Sequence, residues 1–356
     1  MNRKRSARGA ILVTTAISAI ALIGMVGFSL DLGRIYIAKS EAQVFADSAA
    51  LAAAAQLDGS LAGITDAMAA VAANANKWHF NSRPFSTVTV EFAQNPAGPW
   101  VATPASAAGY RFVRVSPQIN VNLMFLPAVV PNWQQLVRAK AVAAQVPKTQ
   151  FREALFPFSP FARNNVGPNF GLTPGRLYTL RWPNKATLSN ACEGDRDPAI
   201  IAMAEAMGSS ERGFIEDTAA SNIRATVVDD YQTVFRTIGD IVLFTGGTKQ
   251  TILDALNTRI LQDTDSVSAT FSQYLSNGTG NGRRIVACPL NDGGNPLGVN
   301  HRIVGIGAFF LQRTGQYGNG ASQSWCAEYI GAWVQGSRKR GVGDNANGAF
   351  VVRLVE

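Results

Sequence analysis

Histidine is the scarcest chemically versatile residue in this 356-residue chain, represented only by His79 and His301. Two imidazoles exclude most metal clusters and make a Ser-His-Asp relay hard to assemble. His79 stands between Trp78 and Phe80 at the end of an expected helix, and His301 opens an apolar run beside Arg302, so both are expected to pack rather than to move protons. Cysteine is nearly as rare: Cys192, Cys288 and Cys326 all lie in the second half, none at the CxxC spacing of a zinc or redox site. They allow one disulfide and one spare thiol, with three pairings open. Also missing are the Gly-x-Ser-x-Gly elbow, the His-Glu-x-x-His pair and the phosphate-binding Gly-x-x-x-x-Gly-Lys loop. The acidic stretches 193–197 and 291–295 do not follow the twelve-residue calcium loop and are expected to be turns. No catalytic, cofactor or metal residue is therefore expected.

One stretch lacks charge altogether. From Ala10 to Leu30 there are 21 residues without Asp, Glu, Lys or Arg. At about 1.5 Å per residue they make a helix of about 31 Å, enough to cross the hydrocarbon of a bilayer. Arg3, Lys4, Arg5 and Arg8 precede it in an acid-free start, and Asp31 and Arg34 follow it. Positive charge is retained in the cytoplasm, so a single pass is expected, with the N-terminus inside and the bulk of the chain periplasmic or extracellular. The apolar core of a cleaved signal is shorter, about 7–15 residues, so an uncleaved anchor in membrane lipid is expected. The net charge is +8, half of it in that basic start, which leaves +4 for residues 11–356. That remainder is too mildly basic, and its later run Arg338-Lys339-Arg340 too isolated, for a nucleic-acid surface; the run is expected to be a solvated turn.

Between Asp31 and Leu57 there is no proline and, after Gly33, no glycine, and the stretch ends rich in alanine. The helix should therefore continue straight out of the membrane. Asp31, Gly33, Arg34, Tyr36, Gln43, Ala46, Asp47, Ala50 and Leu51 are its candidate packing residues, with Asp31 and Arg34 spaced i,i+3 and small side chains that let another helix or a sheet come close. Asp58-Gly59-Ser60 breaks the helix, and Ile64 to His79 is expected to be a second one.

The segments Arg8-Gly9-Ala10, Leu30-Asp31-Leu32-Gly33-Arg34-Ile35-Tyr36 and Gln43-Val44-Phe45-Ala46-Asp47-Ser48-Ala49-Ala50-Leu51-Ala52, joined by the apolar span, resemble the N-terminus of the TadE/TadG-like family of Flp (tight-adherence) pilus-assembly proteins. That family begins with an anchor, an Asp-x-Gly-Arg-x-Tyr segment and an Ala-Asp-x-Ala-Ala-Leu-Ala helix. The resemblance is most specific over residues 1–57 and weakens through residue 146. It implies a non-enzymatic structural or accessory component in the bacterial inner membrane. Its partners would be pilus or secretion-apparatus proteins, with homo- or hetero-oligomers formed through the N-terminal helix. Relatives processed like prepilins carry a glutamate five residues after a glycine cut, whereas the fifth residue after Gly9 is Thr14, so an unprocessed, TadG-like anchor is expected. The longest relatives carry a metal-binding Asp-x-Ser-x-Ser motif, and Asp265-Ser266-Val267-Ser268 has its composition in the wrong order.

Beyond the second helix, Ser86 to Phe92, Tyr110 to Phe125 and Leu136 to Val146 have strand character. The expected organisation is a basic segment 1–9, a span 10–30, a pilin-like helix with a small α+β unit 31–146, a proline-aromatic linker 147–165 and a second α+β domain 166–356. In the latter, Arg176 to Trp182 reads as a strand and Ala199 to Met207, Lys249 to Leu261 and Ser266 to Leu275 as helices. Arg283 to Cys288, His301 to Gln312, Ser324 to Gln335 and Ala349 to Val355 read as an antiparallel sheet. If Cys288 and Cys326 fall on neighbouring strands they are the expected disulfide. The fold class is thus α+β: a long N-terminal transmembrane helix continuing into an extracytoplasmic region with antiparallel sheet. Two rival functions stay open, an anchored extracytoplasmic hydrolase with a site assembled from scattered residues, and a surface adhesin.

Overall fold

The computed structural model describes residues 4–79, 82–128, 131–215, 220–232, 234–246, 250–342 and 347–355. Helix α1 (Lys4–Ala54) runs unbroken for 51 residues, about 77 Å at 1.5 Å per residue. Its two halves differ in what covers them. Between Ile11 and Leu30 the apolar side chains point outward all round, with Leu12 74% and Ile20 72% exposed and Gly27 alone buried. A helix apolar on every side suits lipid rather than water. From Ala38 the pattern turns amphipathic: Ala38, Ala42, Phe45, Ala46, Ala49, Ala50, Ala53 and Ala54 recur at helical spacing and are buried in one core.

Helix α2 (Leu61–Ala73) begins where the Ser60 hydroxyl accepts the Gly63 N–H at 3.1 Å. Ile64, Ala67 and Val71 form its buried stripe against α1. The helix ends before His79 because Asn74 takes extended dihedrals, and Lys77–Trp78 then pairs with Arg83–Pro84.

The sheet over α1 is built from β1 (Thr87–Ala93), β2 (Phe112–Asn122), β3 (Gln134–Arg138) and β4 (Ala141–Pro147), with β2 antiparallel to the other three. Val113, Val115, Ile119 and Val121 alternate along β2 and bury toward α1. The stretch expected as one strand from Leu136 to Val146 is two, in one register. Pro117 of β2 explains the interruption: its carbonyl accepts the Ala139 N–H at 3.2 Å, but it has no N–H to return.

The second region contains β5 (Leu177–Arg181), α3 (Pro198–Ala206), β6 (Glu211–Ile215), α4 (Ala220–Asp229), β7 (Phe244–Gly246), α5 (Gln250–Leu261), α6 (Phe271–Asn277), β8 (Ile285–Asn291), β9 (His301–Leu311) and β10 (Trp325–Gly331). Strands β8, β9, β10 and β5 lie in that order, all antiparallel, and β6 pairs with β7. Every residue of β8 is buried: Val286, Cys288 and Leu290 enter a core shared with α4 and α5, while Ile285 and Ala287 enter the one beneath α6. The mixed α+β class and the antiparallel sheet agree with the sequence reading.

Two boundaries differ from it. Strand β11 (Ala349–Leu354), expected in the second sheet, pairs with β4 from Phe350↔Pro147 to Leu354↔Ala143 and completes the first sheet. The stretch expected as a covered linker at 147–165 carries core residues in its middle, since Phe151, Phe156, Phe158 and Phe161 are each no more than 2% exposed. Four phenylalanines bring enough apolar area to join the cores on either side. They are tied in by bridges such as Phe158↔Phe214 and Phe161↔Asn291.

Candidate membrane anchor and assembly surface

Within the span, main-chain polar groups bond along the helix, and the hydroxyls fold back onto it. Thr14 and Thr15 donate to the Ile11 carbonyl at 2.9 and 2.8 Å, and Ser29 donates to the Met25 carbonyl at 2.8 Å. These three hydroxyls are thereby satisfied without an outside partner, as lipid requires. Of the basic residues expected to set orientation, Arg3 lies outside the described residues, and Lys4, Arg5 and Arg8 lie in the first turns of α1, as does Ala10. Leu30 ends the uncharged run and is 53% exposed.

One residue later stands a fully buried carboxylate. Asp31 accepts the N–H of Met124 at 2.9 Å, of Phe125 at 2.8 Å and of Leu126 at 2.7 Å, all from the turn that follows β2. Three successive N–H groups converging on one anion form a nest. Burial works against the charge, but these three donors and Arg34 outweigh it and hold the carboxyl below the usual aspartate range. The i,i+3 spacing with Arg34 therefore contributes a field, while the hydrogen bonds come from residues far away in sequence.

The remaining candidate packing residues divide into an inner and an outer face. Ala46 and Ala50 are fully buried against the chain's own sheet, and Leu51 packs partly against the same core. Lys39 donates to the Arg138 carbonyl, and Gln43 bonds both Asp47 at 2.7 Å and the Lys140 carbonyl at 3.1 Å, clamping α1 where β3 gives way to β4. Gly33 and Tyr36 face outward, Tyr36 at 75% exposure, in a stripe with Leu32, Ile37 and Val44. The small-residue face that invited a helix or a sheet is thus occupied by the protein's own sheet, and the other stripe stays exposed.

The end of the stem is closed by a residue that the sequence reading passed over. Gln145, fully buried in β4, donates from Nε2 to the carbonyls of Ala54 at 2.9 Å and Leu57 at 2.6 Å, and its Oε1 accepts the Val342 N–H at 3.1 Å. One amide joins the last turn of α1, the first sheet and the C-terminal segment. A signal for it existed: strand alternation puts Gln145 on the same face as Ala141 and Ala143, where a polar side chain needs buried partners. Ser337 donates to the Ala55 carbonyl at 2.9 Å and Lys339 reaches Asp66, so the run Arg338-Lys339-Arg340 is not simply the solvated turn expected. Its lysine ties the C-terminal segment to α2.

The disulfide joins Cys192 to Cys326, and Cys288 is a buried free thiol. The expected Cys288–Cys326 bond is ruled out by strand order: β9 lies between β8 and β10, and two strand spacings of about 4.8 Å exceed the reach of a disulfide. Cys192 instead follows β5, the neighbour of β10, and its N–H donates to the hydroxyl of Thr179, the register partner of Cys326. Burial pushes the Cys288 thiol well up, which keeps it protonated and poorly nucleophilic.

His301 is stacked on Phe244, with ring centroids 4.1 Å apart, and its Nδ1 meets Asn291 Oδ1 at 3.2 Å. Burial lowers its pKa and favours the neutral ring. His79 lies outside the cores, its Nδ1 3.0 Å from the Ser82 hydroxyl. In the acidic turns, Asp195 is engaged by Arg163 at 2.5 Å and Asn291 by Ser159 at 2.7 Å. A cleft walled by Arg259, Arg283 and Arg338 holds one carboxylate, Asp230, which accepts from Arg259 and Arg283 at 2.6 Å each. That carboxylate is committed to two guanidinium groups.

No curated protein and no solved structure matches the chain. A family model does match, described as putative Flp pilus-assembly TadE/G-like, over residues 9–56. The match begins just before the span and ends just past α1, so it takes in the uncharged run, Asp31, both faces of the stem and its alanine-rich end. Over residues 9–56 the anchor and stem are similar to that family.

Proposed function

We propose that the protein is a non-enzymatic, membrane-anchored component of Flp pilus assembly, structural or accessory, that meets its partners along the outward stripe of the stem and on the outer α+β region. The basic start stays in the cytoplasm, residues 10–30 cross the inner membrane once, and the remainder stands on the far side. The observation that carries this reading is the continuity of α1: one unbroken helix passes from an all-round apolar segment into the core of the folded region, with the TadE/TadG-like match lying across that junction. A helix clamped by Gln43, Lys39 and Gln145 carries the outer body as one unit with the anchor.

A photo-crosslinking amino acid at Tyr36, compared with one at Ala50, tests the assignment in piliated cells. Adducts with pilus-assembly proteins are expected from Tyr36 and not from Ala50, and Val44→Asp is expected to reduce pilus assembly while the protein still inserts. Normal piliation with Val44→Asp, together with no adduct from Tyr36, would overturn the reading.

A further inference from the structure

The turn after β2 has an unusual composition and an unusual position. It lies in the run 115–137, which contains no Asp, Glu, Lys or Arg. Met124 is 66% exposed, Phe125 41% and Trp133 71%, while Leu126 is half-buried. In a water-facing turn these are costly residues to leave uncovered. Their location along α1 supplies a reason. Phe125 lies directly on Gly27, where an added Cβ would come within 2.5 Å of the Phe125 Cβ. Gly27 is three residues inside the end of the uncharged run, about 5 Å along the helix axis. The ring therefore sits beside the spanning segment rather than above it.

Two sets of hydrogen bonds keep the turn there. Asp31 takes the N–H groups of Met124, Phe125 and Leu126, which both satisfies the carboxylate and points the turn down the helix. Leu123 donates to the Trp133 carbonyl at 2.9 Å, closing the neck and placing Trp133 at its rim. An apolar tip at the acyl boundary with a tryptophan at its rim is the arrangement of an interfacial membrane element, which enters about 5–10 Å into the headgroup region.

We propose that Met124, Phe125, Leu126 and Trp133 form a second membrane contact, dipping into the outer face of the bilayer beside the span, with Asp31 as the residue that positions them. The occupant of this surface is lipid, because the patch is continuous with the lipid-facing surface of α1 at Gly27 and carries no charge to meet water. Two attachments, one spanning and one interfacial, fix the tilt and rotation of the outer body as a single helix cannot. The inference rests on the anchor reading above.

The test uses the full-length protein in phosphatidylcholine–phosphatidylglycerol vesicles with a nitroxide label placed in turn at Leu22→Cys, Met124→Cys and Val44→Cys. Relaxation by oxygen, which concentrates in lipid, is compared with relaxation by a water-soluble nickel chelate. Met124 is expected to follow Leu22, favouring oxygen severalfold, while Val44 favours nickel. As a second readout, brominated lipids are expected to quench a fluorescence component that Trp133→Phe removes. If Met124 favours nickel as Val44 does while Leu22 remains in lipid, the second contact is refuted and the anchor stands. If Leu22 also favours nickel, the anchor reading itself has failed. Protection of Met124 from both reagents would show a protein surface over the turn and would equally overturn the lipid assignment.

Discussion

Gln145→Leu isolates the junction that joins stem, sheet and C-terminal segment, because leucine nearly fills the same volume and removes only the hydrogen bonds. The Ala54 carbonyl keeps a long bond of 3.4 Å from the Leu57 N–H, so its loss counts for little. The Leu57 carbonyl and the Val342 N–H are left without the partners that Gln145 provides at 2.6 and 3.1 Å. Each buried main-chain group stranded in this way costs about 1–3 kcal/mol, so the variant should be destabilised by about 4 kcal/mol. For a domain of this size that corresponds to a fall in melting temperature on the order of 10 °C. Gln145→Glu is a useful companion: it can still accept from Val342 but sets an anion against two carbonyl oxygens, so it should be at least as unstable as the leucine variant. Thermal unfolding of the detergent-solubilised full chain at pH 7, followed by circular dichroism, reads both. A leucine variant melting within about 2 °C of the parent, no more than about 1 kcal/mol would give, would show that the bonds do not hold the junction together.

Three further outcomes are expected. Alkylation under denaturing conditions without reductant should label Cys288 alone, and Cys192→Ala with Cys326→Ala should cost about 5 kcal/mol by the loop-closure estimate for a sequence separation of 134; labelling at Cys192 or Cys326 without reductant would refute the pairing. His301 is held neutral, its folded pKa below the usual 6.5, so the unfolded chain binds the proton more readily and stability should fall as pH drops below 6.5 toward the folded value. His301→Phe should flatten that part of the pH profile of melting temperature, and an unchanged profile would contradict the assignment. Gly27→Val should displace Phe125 and loosen the turn bonded to Asp31, seen as faster hydrogen exchange at Met124 to Leu126 with insertion unaffected; exchange at the parent rate would count against the close approach.

What could be read from the sequence follows the range of the interaction concerned. The span was legible because 21 uncharged residues and flanking charge are local facts, and the stem because alanine without proline leaves few alternatives. Strand character was also local, and β8, β9 and β10 appear near their expected positions. Which strands become neighbours was not legible. β11 joins β4 some two hundred residues earlier in the chain, and β9 separates the two cysteines that alternation alone could not order. The same limit applies to the alanine face: its composition announced close packing, but only the tertiary structure shows that the partner is the protein's own β2 and β4. Asp31 and Gln145 mark the other boundary of sequence reading. Each is a polar residue in an apolar setting, which signals a buried partner, yet the partners are main-chain groups that carry no side-chain signature. The prolines of 147–160 mark a covered linker in the sequence, but which cores the phenylalanines of 151–161 enter depends on distant strands.

The central claim is a single crossing that puts the outer body on the non-cytoplasmic side, and labelling of engineered cysteines by a membrane-impermeant maleimide tests it most directly. In intact spheroplasts Val44→Cys should be labelled fully and Ser6→Cys only after the membrane is opened. Labelling of Ser6→Cys in intact spheroplasts, with Val44→Cys protected until lysis, would contradict the account.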